Sequence, residues 1–156
     1  MSGMLSSEYD YTPQMLAWMS TVLMSSIFVS QILLRSKIDK IGYLNCLALS
    51  QILAIISLGA IVYSKQYEIV LISQVIFGLA AALWGPSESA WIANNVNSDE
   101  RARALSSYSS LRTLASVPAP FIGGILFDVY GSNIPILTTI ALIIIDIGLI
   151  LTLIKD

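Results

Sequence analysis

Five long stretches of this chain are almost free of charge, and each is long enough to cross a lipid bilayer. They cover about residues 13–34, 43–64, 69–94, 104–127 and 132–154. A bilayer core about 30 Å thick needs about 20 apolar residues at about 1.5 Å of helical rise each. A water-soluble domain of 156 residues has too little interior to bury five such segments. Lipid is therefore the solvent of this chain.

Each stretch is predicted to be an α-helix, because lipid offers no hydrogen-bond partner to an open backbone. Strands of a membrane barrel would be about 10 residues long with strict alternation, and these stretches are longer and do not alternate. The expected fold class is all-α: a polytopic membrane bundle of five transmembrane helices over residues 13–156. Short connections at 65–68 and 128–131 predict that the helices they join are antiparallel neighbours.

The composition limits the kinds of activity and binding site that this chain can support. Hydrophobic residues make up 56% and charged residues 12% of the chain, against about a quarter charged in soluble domains. Histidine is absent and Cys46 is the one cysteine, which removes the usual zinc ligands, an intrachain disulfide and the usual general base. No Gly-x-Ser-x-Gly, His-Glu zinc or phosphate-loop motif is present. No enzyme activity, cofactor, metal or nucleic-acid partner is therefore expected.

The distribution of lysine and arginine predicts the orientation, since cytoplasmic loops carry the excess of both. One side of the bundle receives six basic residues: Arg35, Lys37, Lys40, Arg101, Arg103 and Lys155. The other side receives Lys65 and the polar, acidic segment at residues 1–12, which has no basic signal-peptide start. We expect a cell-membrane protein with an extracytoplasmic N-terminal segment at residues 1–12 and a cytoplasmic C-terminus.

The passage GPSESAWIANNVNSDERARALSSYSSL at residues 85–111 resembles the major facilitator superfamily of secondary transporters. Its features are a Gly-Pro pair at 85–86, an acidic turn at 99–100 and a basic Arg-Ala-Arg-Ala entry at 101–104. Residues 119–124 resemble the family's Gly-Pro-x-x-Gly-Gly motif, with alanine in the first position. Asp39, Lys40 and Gly42 match a reduced form of its first-loop motif.

This resemblance implies five helices of a six-helix half-domain that lacks its first helix, most similar to helices 8–12 of a twelve-helix transporter. It also implies a secondary transporter, or part of one, that moves a small solute by alternating access. The alternative is a non-transporting truncated remnant or a membrane assembly partner. The expected partners are membrane lipid, an unknown small solute, and either a second copy or a complementary half-transporter. The implied conformational or gating residues are Asp39, Lys40, Gly42, Arg101 and Arg103.

Three charged residues, Glu88, Arg112 and Asp146, lie inside the apolar stretches. Such residues usually face the bundle interior and often carry function. Glu88 is ten residues before Ser98 and Arg112 is fourteen after it, which puts them roughly 15 and 21 Å along their helices from the turn at that residue. We therefore expect a Glu88–Arg112 pair, with Asp146 as a competing partner. Asp146 itself is expected to be structural.

Polar and aromatic neighbours extend this region. At helical spacing, one face of the fourth stretch carries Tyr108, Arg112 and Ser116. One face of the third stretch carries Trp84, Glu88, Trp91 and Asn95. The candidates for substrate binding or proton relay are Glu88, Arg112, Tyr108, Ser116 and Trp84. The alternative for the Glu88–Arg112 pair is a structural lock between two helices, and for Trp91 an anchor at the membrane interface.

Prolines and small residues mark local features of the third and fourth stretches. Pro86, Pro118 and Pro120 are predicted to interrupt these helices, because proline lacks the backbone donor. Gly78 is predicted to let neighbouring helices approach closely.

Overall fold

The computed structural model describes residues 11–64, 66–131 and 133–155, with side chains up to residue 152. Most of the expected extracytoplasmic segment at 1–12, as well as Lys65 and the final residue, lies outside the described residues. All regular structure in the described residues is helical. The helices are α1 Pro13–Ile41, α2 Tyr43–Tyr63, α3 Tyr67–Asn94, α4 Arg101–Ser116, α5 Ala119–Tyr130 and α6 Asn133–Lys155, with a 3-10 turn at Ser98–Glu100.

Five membrane-length apolar spans are present in the described part of the chain, because α4 and α5 together make up the fourth. The all-α class predicted from the sequence is therefore confirmed. The predicted bounds hold to within a few residues for most spans and differ most in the first and fourth.

The first helix is longer than predicted. Helix α1 continues to Ile41, so Asp39 and Lys40 lie on its last turn and not in a loop, which corrects the sequence-based boundary at residue 34. No proline or glycine interrupts this segment, and Lys40 near the carboxyl end is favourable to the helix dipole. Gly42 ends the helix with φ +89° and its N–H bonds to the Ile38 carbonyl at 2.9 Å. A left-handed φ of this kind favours glycine.

The fourth span is broken at Val117–Pro118. Proline at 118 and 120 cannot donate to the carbonyls one turn back, and the Val117 N–H bonds instead to the Leu114 carbonyl at 3.2 Å. This shift leaves the Thr113 carbonyl without its usual amide partner, and the Ser116 hydroxyl donates to it at 2.7 Å. The predicted interruption is therefore present here.

Helix α3, in contrast, runs unbroken through Pro86. The sequence-based prediction that Pro86 interrupts the third helix was wrong. Packing accounts for this result, since Ser87 and Glu88 directly after the proline are buried against neighbouring helices, and tertiary contacts outweigh the local loss of one backbone bond.

Helix α3 is the centre of the packing and contacts both α1 and α2, while α6 packs on α2 and α5 packs on α6. One apolar cluster joins Met19 to Val70, and a second joins Ile38 to Cys46 and Leu83. These pairings make α1 and α3 parallel and α2 antiparallel to both. We call the end of the bundle near the α1–α2 and α3–α4 connections the basic end, because it carries Arg35, Lys37, Lys40, Arg101 and Arg103.

Helices α1 and α3 cross closely at Gly78. A Cβ atom at this position would lie 2.6 Å from the Ser26 Cβ and 3.1 Å from the Ile27 backbone nitrogen. The Ser26 hydroxyl donates to the Val75 carbonyl at 2.9 Å across the same crossing. The predicted role of Gly78 in close packing is therefore seen in the structure.

Candidate solute-binding site

Glu88 on α3 is held by two side chains of α4. Arg112 Nη1 donates to Glu88 Oε2 at 2.9 Å, and the Tyr108 hydroxyl donates to Oε1 at 2.5 Å. Tyr108 and Arg112 are four residues apart and thus share one face of α4. The expected ion pair is present and is the one salt bridge found among the described side chains.

The burial of this pair is asymmetric. The Glu88 side chain is 11% exposed and the Arg112 side chain is 60% exposed. Each carboxylate oxygen already has one strong donor, and charge-assisted bonds of this kind are the stronger class. The Glu88 charge is therefore balanced inside the protein, while much of the Arg112 side chain remains accessible to other groups.

Asp146 bonds to a different helix. Its Oδ2 accepts a hydrogen bond from the Gln51 side-chain amide, which joins α6 to α2. The expectation that Asp146 competes for Arg112 is therefore not met in this structure. Sequence reasoning missed Gln51, although an amide in the middle of an apolar stretch was an available signal.

A cavity of about 1010 Å³ opens between α2, α3, α4, α5 and α6, and Leu23 of α1 also lines it. Its lining includes polar and aromatic residues, namely Ser50, Gln51, Ser57, Gln74, Phe77, Trp84, Arg112, Phe127 and Thr139. Of the five predicted substrate candidates, Trp84 and Arg112 line it, whereas Glu88, Tyr108 and Ser116 are not among the lining residues. A concave, mainly apolar site with a few polar groups is the usual form of a small-molecule pocket.

The polarity of the cavity lining changes along the length of the bundle. Ser50, Gln51, Trp84 and Arg112 lie in the part of the lining that is nearer the basic end. The lining toward the opposite end is mainly apolar, with Leu58, Ile61, Phe127 and Ile136, and Gln74 is the polar residue that α3 contributes on that side. The cavity therefore has a polar end that carries the Arg112 side chain, whose charge is paired with Glu88, and a mainly apolar end.

The remaining candidates lie away from the cavity. Ser116 is exposed and its hydroxyl caps the α4 break. Asp39, Lys40, Arg101 and Arg103 are exposed at the basic end, and no ion pair within 4 Å joins them in the described part of the chain.

Neither Trp91 nor Asn95 reaches the lining. Trp91 is half-buried near the end of α3, and the Asn95 amide bonds to its carbonyl at 2.8 Å. Within residues 11–64, 66–131 and 133–155, no cluster of three histidine, cysteine or acidic side chains is arranged to hold a metal ion.

Comparison with known proteins agrees with this architecture. The family model of the Major Facilitator Superfamily matches residues 1–156. An uncharacterized MFS-type transporter of Methanocaldococcus jannaschii is 30% identical over 115 residues, which is 69% of this chain and 29% of that protein. A probable vesicular acetylcholine transporter-B of Danio rerio is 28% identical over 119 residues, or 76% of this chain and 24% of that protein. The chain thus spans less than a third of the length of these two relatives.

Proposed function

This chain belongs to the major facilitator superfamily, and we propose from that premise that it forms one wall of the solute pathway in a secondary transporter. The transporter would move a small solute by alternating access, with the cavity between α2 and α6 as this chain's part of the binding site. The role is transport and not catalysis. The proposal also takes the chain to correspond to the C-terminal half, helices 8–12.

The observation that carries this proposal is the cavity with Arg112 at its polar end. An intramembrane charge is costly and is usually retained for function or for pairing. Arg112 does pair with Glu88, yet its side chain is 60% exposed and lines the cavity. A structural ion pair between two helices would not require Arg112 to be exposed to a cavity. The exposed Arg112 side chain, which lines the cavity together with Trp84, adds a surface suited to a ligand.

The proposed partner is a complementary half-transporter or a second copy of the chain. No residue of α4 or α5 is buried in the described structure. Transporters of repeated architecture bind solute between two bundles that rock about the site. A second bundle over α4 and α5 would shield Arg112 from lipid and complete the cavity.

The proposed location is the cell membrane, with the basic end in the cytoplasm and the N-terminus outside. Asp39, Lys40, Gly42, Arg101 and Arg103 then form the cytoplasmic surface that changes during gating. Tags placed before residue 11 and after residue 155 test the orientation. The first should be accessible to an impermeant reagent in intact cells and the second only after permeabilisation; the reverse labelling would overturn the orientation.

Uptake into proteoliposomes tests the proposed transport function. The chain is reconstituted alone and together with any bundle that copurifies, and a panel of labelled small solutes is followed by counterflow. We expect saturable exchange of at least one solute by the complete assembly. Glu88→Gln should slow this exchange strongly, whereas Glu68→Gln is the matched control, since Glu68 is an exposed residue at the other end of the same helix.

Two results would contradict the proposal. The first is the absence of exchange by an assembly that is folded and contains every copurifying partner. The second is equal exchange by the Glu88→Gln and Glu68→Gln variants, which would place the ion pair outside the transport cycle.

A further inference from the structure

The geometry points to an amphiphilic organic anion as the solute class, and we propose that a carboxylate head group binds Arg112 while an apolar body fills the rest of the cavity. This inference rests on the proposed transport function, because it names the ligand of the same cavity.

Charge is the first argument. Arg112 is the one charged residue among the described residues that line the cavity. The two nearby acids do not line it: Glu88 is held by Arg112 and Tyr108, and Asp146 is held by Gln51. A ligand in the cavity therefore meets a guanidinium and no free carboxylate.

Hydrogen-bonding capacity is the second argument. The donors of the cavity's hydroxyl groups are already used: Ser50 donates to the Leu47 carbonyl, Ser57 to the Ser73 carbonyl, and Thr139 to the Pro135 carbonyl. Arginine carries five N–H donors in a planar fork that matches a carboxylate. One hydrogen bond to Glu88 leaves most of that fork for a ligand.

Shape is the third argument. Arg112 and Trp84 lie at one end of the cavity, and Phe127 and Ile136 lie toward the other. The volume of about 1010 Å³ is at the upper end of the range of roughly 300–1,000 Å³ that is usual for small-molecule sites. A solute with a charged head and an apolar tail satisfies both ends at once, whereas a small inorganic anion would leave the apolar end empty.

Trp84 provides a direct optical signal for the test. The chain has three tryptophans, and the variant Trp18→Phe/Trp91→Phe keeps only the one that lines the cavity. Quenching of its fluorescence is titrated with 4-phenylbutyrate, 4-phenylbutan-1-ol and 4-phenylbutylammonium. These probes share one apolar body and carry a negative, a neutral and a positive head.

We expect the carboxylate to bind about tenfold or more tightly than the alcohol, as charge-assisted hydrogen bonds allow, and the ammonium to bind most weakly. Arg112→Gln should reduce carboxylate affinity to that of the alcohol. If that single variant does not fold, Glu88→Gln/Arg112→Gln removes both charges and should show the same loss. Arg35→Gln, at an exposed position outside the cavity, is the matched control and should bind like the parent.

Glu88→Gln should not reduce carboxylate affinity, in contrast to Arg112→Gln. It frees Arg112 from its carboxylate partner, so carboxylate affinity should rise or stay unchanged while ammonium affinity does not rise. A structural role for the pair alone would not separate the two probes.

Three outcomes would overturn the anion assignment: equal affinity for the three probes, tighter binding of the ammonium, or unchanged carboxylate affinity after removal of Arg112. The transport proposal would survive each of them, because solute exchange in proteoliposomes tests it separately. Failure of all three probes to quench Trp84 would also overturn the assignment and leave that exchange assay to decide the transport function.

Discussion

Arg112 Nη1 lies 2.9 Å from Glu88 Oε2, yet the Glu88 side chain is nearly enclosed and the Arg112 side chain is largely exposed. The two partners therefore depend on each other unequally. Without Arg112, Glu88 would be a buried charge with only Tyr108 as partner. Without Glu88, Arg112 can extend its long side chain toward the cavity or the membrane interface.

This asymmetry gives the first prediction. Arg112→Ala should lower the free energy of unfolding by about 3–5 kcal/mol, the usual cost of an uncompensated buried charge, and Glu88→Ala should cost clearly less. The double variant should recover part of the Arg112→Ala loss. Thermal unfolding in detergent measures all three, with Arg35→Ala as the control for loss of an exposed arginine. A larger loss for Glu88→Ala would contradict the inferred dependence.

The second prediction concerns Tyr108. Its hydroxyl donates to Glu88 Oε1 at 2.5 Å, so Tyr108→Phe should destabilise by about 1.5–3 kcal/mol, as for hydrogen bonds to a charged group. The loss should shrink when Glu88 is already glutamine. A double-mutant cycle measures this coupling, and Tyr63→Phe, at an exposed ring at the opposite end of the bundle, is the control. Additive losses would show that the hydroxyl acts independently of Glu88.

The third prediction tests the α1–α3 crossing. Gly78→Ala places a Cβ 2.6 Å from the Ser26 Cβ and should cost about 1–3 kcal/mol through overpacking. Gly59→Ala is the control, since no side chain and no other helix comes within 4 Å of its added Cβ, and it should stabilise α2 by about 0.5–1 kcal/mol. Ser26→Gly should partly rescue Gly78→Ala. Equal effects of the two alanine substitutions in detergent melts would refute the close approach.

The fourth prediction tests the Gln51–Asp146 bond between α2 and α6. Gln51→Leu leaves a carboxylate in the membrane without this donor and should destabilise the α2–α6 contact, by about 1–3 kcal/mol for an unpaired polar group. Gln51→Leu/Asp146→Leu should be closer to the parent, because both polar groups are then gone. Proteolysis and thermal melts measure the stability of the two variants relative to the parent. A double variant that is less stable than Gln51→Leu alone would contradict the prediction.

The apolar length of each span and the charges inside it are local properties, so the sequence alone determined the all-α bundle, its five spans and the depth at which Glu88 and Arg112 meet. Local chemistry also predicted the break at Pro118. It did not predict that α3 continues through Pro86, because burial of Ser87 and Glu88 against other helices is a tertiary effect.

Only the tertiary structure decided that Asp146 meets Gln51, and that Arg112 but not Glu88 lines the cavity. The spans are apolar on nearly every side, and lipid tails are as apolar as a protein interior, so hydropathy does not indicate which face of a helix packs against which neighbour. Which helix faces come into contact depends on close packing and on individual polar bonds between helices. At Gly78, for example, a Cβ atom would lie 2.6 Å from the Ser26 Cβ, too close for the two helices to keep their separation.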